Sequence, residues 1–250
     1  MIDVTNLSPW LWIAAPIAIV FAYTIFGISG FGSTIIAVPI LAHWLPVTYL
    51  VPLMVLLDMS AAILIGSKNR EHVNKEEIKR LVPVMFVGFV LGVTLLVKMD
   101  PDTLRVALGV FAVAVGVHGI VNPVLHSKIS KWWSIPAGLV GGSIATVFGA
   151  GGPIYATYLS GRLHDKNEVR STISTLISIS AFSRAVLYAV GGLLLHWTIF
   201  AGMAVLAPFV WLGLKGGSRI HTGLTQTQMR RVVGALLVAI GGSLLVHVFA

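Results

Sequence analysis

The sequence predicts an all-α integral membrane protein: two inverted repeats of about five helical segments each, with broken, re-entrant helices at glycine-rich motifs. Three observations predict it. Only 10% of the 250 residues are charged and 56% are hydrophobic, whereas soluble domains carry about 25% charged residues to cover their surface. Apolar runs follow one another along the whole chain, broken by short polar gaps. Residue patterns of the first half also recur in the second at nearly constant offsets.

The runs lie near 10–26, 33–45, 48–66, 81–97, 104–121, 132–148, 153–161, 171–195, 197–214 and 229–249. Crossing the hydrocarbon takes about 20 apolar residues. The runs 33–45 and 153–161 are too short for that, and both directly follow glycine-rich breaks. The N-terminal MIDVTNLSPW holds Asp3 and no Lys or Arg. It lacks the basic region of a signal peptide, so the first apolar stretch is expected to be retained.

Loop charge sets the orientation. The gap 66–80 carries Lys68, Arg70, Lys75, Lys79 and Arg80, and the gap 122–131 carries Lys128 and Lys131. Arg162, Lys166 and Arg170 lie in 161–170, and Lys215, Arg219, Arg230 and Arg231 in 215–231. All four gaps fall on one side if each short run returns the chain to the side from which its preceding helix came. By the positive-inside rule that side is the cytoplasm, and both termini lie outside it. The gap 98–105, with Lys98 and Arg105, is the misfit, and a lysine at a helix end can snorkel. The net charge of +8 is explained by these gaps, so no nucleic-acid partner is implied. Without cysteine, disulfides and thiolate metal sites are excluded.

The repeat is specific. Gly27-Ile-Ser-Gly30-Phe-Gly32-Ser33 corresponds to Phe148-Gly149-Ala150-Gly151-Gly152-Pro153, with Gly30 and Gly149 119 residues apart (149 − 30). Further on the offset is 125 (208 − 83): Pro83, Gly88 and Gly92 match Pro208, Gly213 and Gly217. At the same offset Arg105, Gly109 and Gly116 match Arg230, Gly234 and Gly241. Residues 1–121 and 132–250 are thus read as two repeats joined by a cytoplasmic linker at 122–131. An odd number of segments per half makes the second copy enter from the opposite side, an arrangement that puts a binding site near the midplane where interrupted helices meet.

Non-helical backbone at membrane depth is tolerated only when buried in protein or lining a wet cavity. Each break precedes a short helix starting near Ser33 or Pro153, whose unpaired N–H groups and dipole favour an anion. Ser29, Ser33 and Thr34 add hydroxyl donors, and Gly30, Gly32, Gly149, Gly151 and Gly152 allow close backbone approach. Gly88/Gly92 and Gly213/Gly217, inside uninterrupted runs, read instead as helix-packing residues.

With GISGFGSTIIAVPIL (27–41), FGAGGPIYATYLSG (148–161) and the duplicated Pro-x4-Gly-x3-Gly and Arg-x3-Gly patterns, nearly the whole chain resembles the sulfite exporter TauE/SafE family. Its first motif reads Gly-Phe-Gly-Ser where the family is usually richer in glycine. The resemblance implies a multi-pass transporter of the bacterial inner membrane, whose substrate is a small sulfur-containing anion: sulfite or an organosulfonate such as sulfoacetate.

Two ionisable residues fall in mid-run, Asp58 in 48–66 and Arg184 in 171–195. Each costs about 2.5–3.5 kcal/mol on insertion scales and is a functional candidate by default. Arg184 suits bidentate recognition of a sulfonate or sulfite. Asp58 is expected either to carry a coupling proton, to orient the arginine or to form a structural ion pair with it. His118 reads as an interface residue, and Arg162 as a topology signal or an access funnel. Substrate binding is therefore expected at Ser29, Gly30, Gly32, Ser33, Thr34, Gly149, Gly151, Gly152, Pro153 and Arg184.

The implied activity is alternating-access export of the anion, with a passive anion channel, or carriage of another small anion, as alternatives. With the cell interior negative, outward movement of one negative charge gains about 2.3 kcal/mol per 100 mV, so no coupling ion is required. No HExxH, nucleophile elbow or histidine cluster supports an enzyme, and no cofactor is expected. Glycine-rich faces permit a homodimer.

Overall fold

The computed structural model describes residues 9–29, 32–65, 72–121, 129–219 and 226–249. Among them are ten α-helices: α1 (Leu11–Ser29), α2 (Ser33–Leu41), α3 (Val47–Ile65), α4 (Lys75–Lys98), α5 (Pro101–Val121), α6 (Ser134–Phe148), α7 (Gly152–Arg162), α8 (Lys166–Val190), α9 (Trp197–Arg219) and α10 (Gln226–Phe249). A 3₁₀ turn at Lys131–Trp133 leads into α6. Each apolar run of the sequence has become one helix. Most of the expected linker 122–131 lies outside the described residues.

Helices α1, α4, α5, α8, α9 and α10 are long and apolar enough to span a bilayer. Their outward faces carry exposed apolar side chains such as Phe86, Val90, Leu91 and Leu95 on α4, as expected where lipid is the solvent. Trp10, Trp12 and Trp197 near one end, and Trp132 and Trp133 at the start of α6, are all more than half exposed. Tryptophan at both ends of a bundle marks the two membrane interfaces.

The polar gaps hide the true starts of two helices. Helix α4 begins at Lys75 rather than near 81, because Asn74 accepts a hydrogen bond from the Glu77 backbone N–H at 2.9 Å. In the same way Asp165 accepts from the Asn167 N–H at 3.1 Å and starts α8 at Lys166. A side-chain acceptor here satisfies one of the helix's orphan donors. Helix α8 ends at Val190, earlier than the apolar run, where Gly192 takes a positive φ of 77°.

Helix α2 has eight of its nine residues buried. Beside it, α3 buries Leu50, Val51, Met54, Val55 and Leu57 completely. A helix apolar on every side belongs inside a bundle. Around these two, α1 packs on α9, α4 on α6, α5 on α10, and α3 on α8.

Glycine makes three of those contacts close. A Cβ on Gly88 would lie 2.5 Å from the Leu139 carbonyl, and one on Gly92 2.6 Å from Thr146 Cβ. Gly142 in turn faces Met85 and Gly88, so α4 and α6 run parallel. Gly213 lies against Val20 and Tyr23, and Gly217 against Thr24 and Gly27, so α1 and α9 are also parallel. Gly109 faces Gly241 and Gly116 faces Gly234, which makes α5 and α10 antiparallel.

Helices α6 and α7 form a hairpin that turns back on itself. The Ile129 N–H, just before α6, donates to the Gly161 carbonyl at the end of α7 at 3.0 Å. Arg162 Nη1 donates to the Ile129 carbonyl at 3.2 Å. Helix α7 therefore brings the chain back to the side where α6 started. After α2, His43 reaches Ser243 near the end of α10 at 3.3 Å, and Tyr49 donates to the Thr198 carbonyl at the start of α9 at 3.0 Å.

Candidate functional site

The two breaks touch each other inside the bundle. Helix α2 follows Gly32, whose φ of 103° is left-handed, and α6 ends on Gly149, with φ 70°. Only glycine enters that region without steric cost. A Cβ on Gly149 would run into the Thr34 side chain, so the start of α2 abuts the α6–α7 break.

A cavity of about 30 Å³ lies at this junction. On that measure one water molecule needs about 10–15 Å³, so the space holds two or three waters or an ion of a few heavy atoms. Gly32, Ser33 and Thr34 line it from the first break. Gly149, Gly151, Gly152 and Pro153 line it from the second. Asp58 and Arg184 complete its polar wall, and Phe26, Ile35 and Ile177 its apolar one. Of the other expected site residues, Ser29 ends α1 with its side chain outside the described part, and Gly30 lies outside the described residues.

Asp58 and Arg184 share the cavity but form no ion pair with each other, which corrects one sequence expectation. The reason is that hydroxyl groups hold the Asp58 carboxylate while backbone carbonyls hold the Arg184 guanidinium. The Asp58 carboxylate accepts hydrogen bonds from Tyr23 Oη at 2.7 Å, Ser33 Oγ at 2.8 Å and Thr34 Oγ1 at 2.8 Å. Two of those donors belong to the first turn of α2, so Asp58 already supplies the negative charge that this helix start favours.

Arg184 is 3% exposed. Its Nε donates to the Ser180 carbonyl at 3.3 Å, and Nη1 to the Ala145 carbonyl at 2.5 Å. Ala145 lies in the last turn of α6, where its carbonyl also accepts from the Gly149 N–H at 2.9 Å and where the negative end of the helix dipole favours a cation. One turn further along α8, Tyr188 Oη donates to the Thr146 carbonyl at 2.5 Å. Arg184 thus braces the end of α6 with one edge, and its Nη2 has no protein partner among the described residues. Positive charge is left over at the place where α7 begins.

Three tyrosines near the site escaped the sequence reading. Tyr23 holds Asp58. Tyr155, in the first turn of α7, lines the cavity, and its buried hydroxyl has no hydrogen-bond partner among the described residues. Tyr158 donates to Glu77 at 2.6 Å.

Glu77 is the centre of a second polar cluster, at the end of the bundle where α4 and α8 begin. Only 2% exposed, it receives Arg162 through Nη2 at 3.0 Å and Nε at 3.2 Å, and Arg80 through Nη1 at 2.9 Å. Asn74 ties the same corner to Glu168 at 2.8 Å. Arg162 is therefore a clamp between α7 and α4, not an access funnel. His118 sits exposed in the last turn of α5, away from the cavity lining.

Comparison with known proteins gives this arrangement its context. No solved structure matches the chain. The probable inner membrane transporter protein TsaS of Comamonas testosteroni is 29% identical over 200 residues, covering 79% of this chain and 83% of that protein. The sulfite exporter TauE/SafE family matches residues 15–244, which includes both breaks, Asp58 and Arg184. The chain belongs to the sulfite exporter TauE/SafE family and is a multi-pass inner-membrane transporter of a small anion.

Proposed function

We propose that this transporter exports a small sulfur-containing oxyanion, sulfite or a short organosulfonate, by alternating access about the cavity between the two breaks. One observation carries the reading. Arg184 is buried at the cavity with no carboxylate paired to it among the described residues and its Nε and Nη1 on backbone carbonyls, while the neighbouring carboxylate, Asp58, is occupied by three hydroxyl donors. A guanidinium edge beside a helix start is a seat for an oxyanion. The volume of about 30 Å³ suits sulfite in this conformation, and a longer sulfonate requires the cavity to open.

Two inverted halves, 1–121 and 132–250, supply the moving parts in this proposal. Exchanging α1–α5 with α6–α10 turns the α1–α9 contact into α6–α4 and leaves α5–α10 and α3–α8 unchanged. The parallel and antiparallel senses of those pairs agree with such a dyad. Both termini are placed outside the cytoplasm, in keeping with the four basic gaps. Both half-helices come from one chain, and Gly88, Gly142, Gly213 and Gly217 are used in helix contacts within it. A homodimer is thus permitted, for instance through Gly242, which faces open space, but contributes nothing to the seat.

The test is flux of sulfite, sulfoacetate and sulfate from proteoliposomes under an imposed potential. The proposal expects saturable, potential-driven flux of sulfite or sulfoacetate. Flux that rises without saturation identifies a passive channel instead. No flux of any of the three overturns the substrate class.

A further inference from the structure

Tyr155 is the one tyrosine of five whose hydroxyl makes no hydrogen bond among the described residues. Tyr23 donates to Asp58, Tyr49 to the Thr198 carbonyl, Tyr158 to Glu77 and Tyr188 to the Thr146 carbonyl. The Tyr155 side chain is 1% exposed, and its Oη is buried without a partner. Buried phenols regularly find one. An orphan donor on a residue that lines a polar cavity points to a ligand that the cavity receives.

The ring is held in place by glycine. A Cβ on Gly141 would lie 3.1 Å from the Tyr155 Cζ, and one on Gly151 would lie 2.9 Å from its Cε2. These two glycines form a slot that fixes the ring over the first turn of α7, on the cavity that Arg184 also lines. Across the same cavity the molecule shows what such donors do. At the start of α2, three hydroxyls converge on the Asp58 carboxylate. At the start of α7, the corresponding Gly152 and Pro153 bring no hydroxyl, and the Tyr155 phenol stands ready with no resident anion to meet it.

We propose that the Tyr155 hydroxyl donates directly to an oxygen of the transported anion, and with Arg184 Nη2 makes the seat prefer an oxyanion head group over a halide. The proposal rests on the reading of this cavity as the transport site. A head group with several oxygens engages donors from α7 and α8 together, whereas a single-atom anion sits against fewer of them. Asp58 plays the equivalent part in the first half permanently, so the seat takes one anion at a time.

The experiment is titration of the purified protein with sulfite, alone and against chloride, comparing wild type, Tyr155→Phe and Arg184→Ala. Loss of one hydrogen bond to a charged group is expected to raise the Tyr155→Phe dissociation constant for sulfite about tenfold and to shrink its preference over chloride. Thermal stability of the ligand-free variant should equal or exceed that of wild type, because an orphaned hydroxyl has been removed; a purely structural hydroxyl would lower it. Unchanged sulfite affinity in Tyr155→Phe, with binding lost in Arg184→Ala, overturns the role of the phenol and leaves the seat standing. Failure of the wild type to bind sulfite overturns both.

Discussion

Replacement of Asp58 separates the contribution of its charge from that of its hydrogen-bond acceptors. In Asp58→Ala, three buried or nearly buried hydroxyls, on Tyr23, Ser33 and Thr34, lose their acceptor. At about 1–3 kcal/mol for each unsatisfied donor, the loss is at least about 3 kcal/mol. In Asp58→Asn the volume is retained. The amide oxygen replaces Oδ1, which receives Tyr23 and Ser33, and the Thr34 hydroxyl turns to accept from the amide N–H. Three charge-assisted bonds become neutral, at about 1 kcal/mol each. Against that, a buried carboxylate no longer has to be desolvated, which is worth several kcal/mol. The asparagine variant should therefore lie within about 2 kcal/mol of wild type, and clearly above the alanine variant. Reversible unfolding in mixed micelles, followed by circular dichroism, measures both. Anion affinity of Asp58→Asn should rise, since a negative charge has left the cavity wall. Equal destabilisation by Asn and Ala would refute the acceptor argument, and an alanine variant as stable as wild type would refute the whole hydroxyl cluster.

Other outcomes follow from the packing and the loops. Glu77→Ala should cost about 2 kcal/mol, below the ~3–5 kcal/mol of a wholly buried pair, because Arg162 and Arg80 retain 27% and 36% exposure; unfolding in mixed micelles reads it. Gly88→Val should weaken or misassemble the α4–α6 contact by about 1–3 kcal/mol or more, since even a Cβ would meet the Leu139 carbonyl at 2.5 Å. The chain has no cysteine, so single-cysteine labelling is clean. Asp102→Cys should react with an impermeant maleimide on intact cells and His164→Cys only after permeabilisation, and the reverse pattern would invert the orientation. At the start of α5, the Thr103 hydroxyl and backbone N–H hold the Asp100 carboxyl below its usual range. Its stabilisation is complete above that range and is lost as pH falls through the depressed value, so Asp100→Ala should flatten the acid limb of the stability profile.

The helices were legible because lipid imposes a simple rule: ten apolar runs became ten helices among the described residues. The two short runs stood out because 33–45 and 153–161 follow glycine-rich breaks, in which Gly32 and Gly149 adopt positive φ. Helix starts at Asn74 and Asp165 were not legible, because capped, charged first turns look like loop sequence. Asp58 and Arg184 were found by their cost in hydrocarbon. That they do not pair was hidden, because it depends on where the α1–α2 hairpin places Tyr23, Ser33 and Thr34. Tyr155 reads as an ordinary apolar-run residue until its missing partner is seen. Glu77 looks like a solvated charge in the gap 66–80, and only the docking of Tyr158 and Arg162 from α7 buries it.

The most direct test of the central claim is sulfite flux through Arg184→Ala in proteoliposomes under an outward-driving potential, measured beside wild type. Arg184 also braces the last turn of α6 through the Ala145 carbonyl, so Arg184→Lys is run as a companion that keeps the charge there but loses the bidentate edge. The account predicts saturable flux in wild type, strong loss in the lysine variant and abolition in the alanine variant, with both variants folded. Wild-type flux in a folded Arg184→Ala protein would contradict it, and would leave Arg184 as a brace with no part in transport.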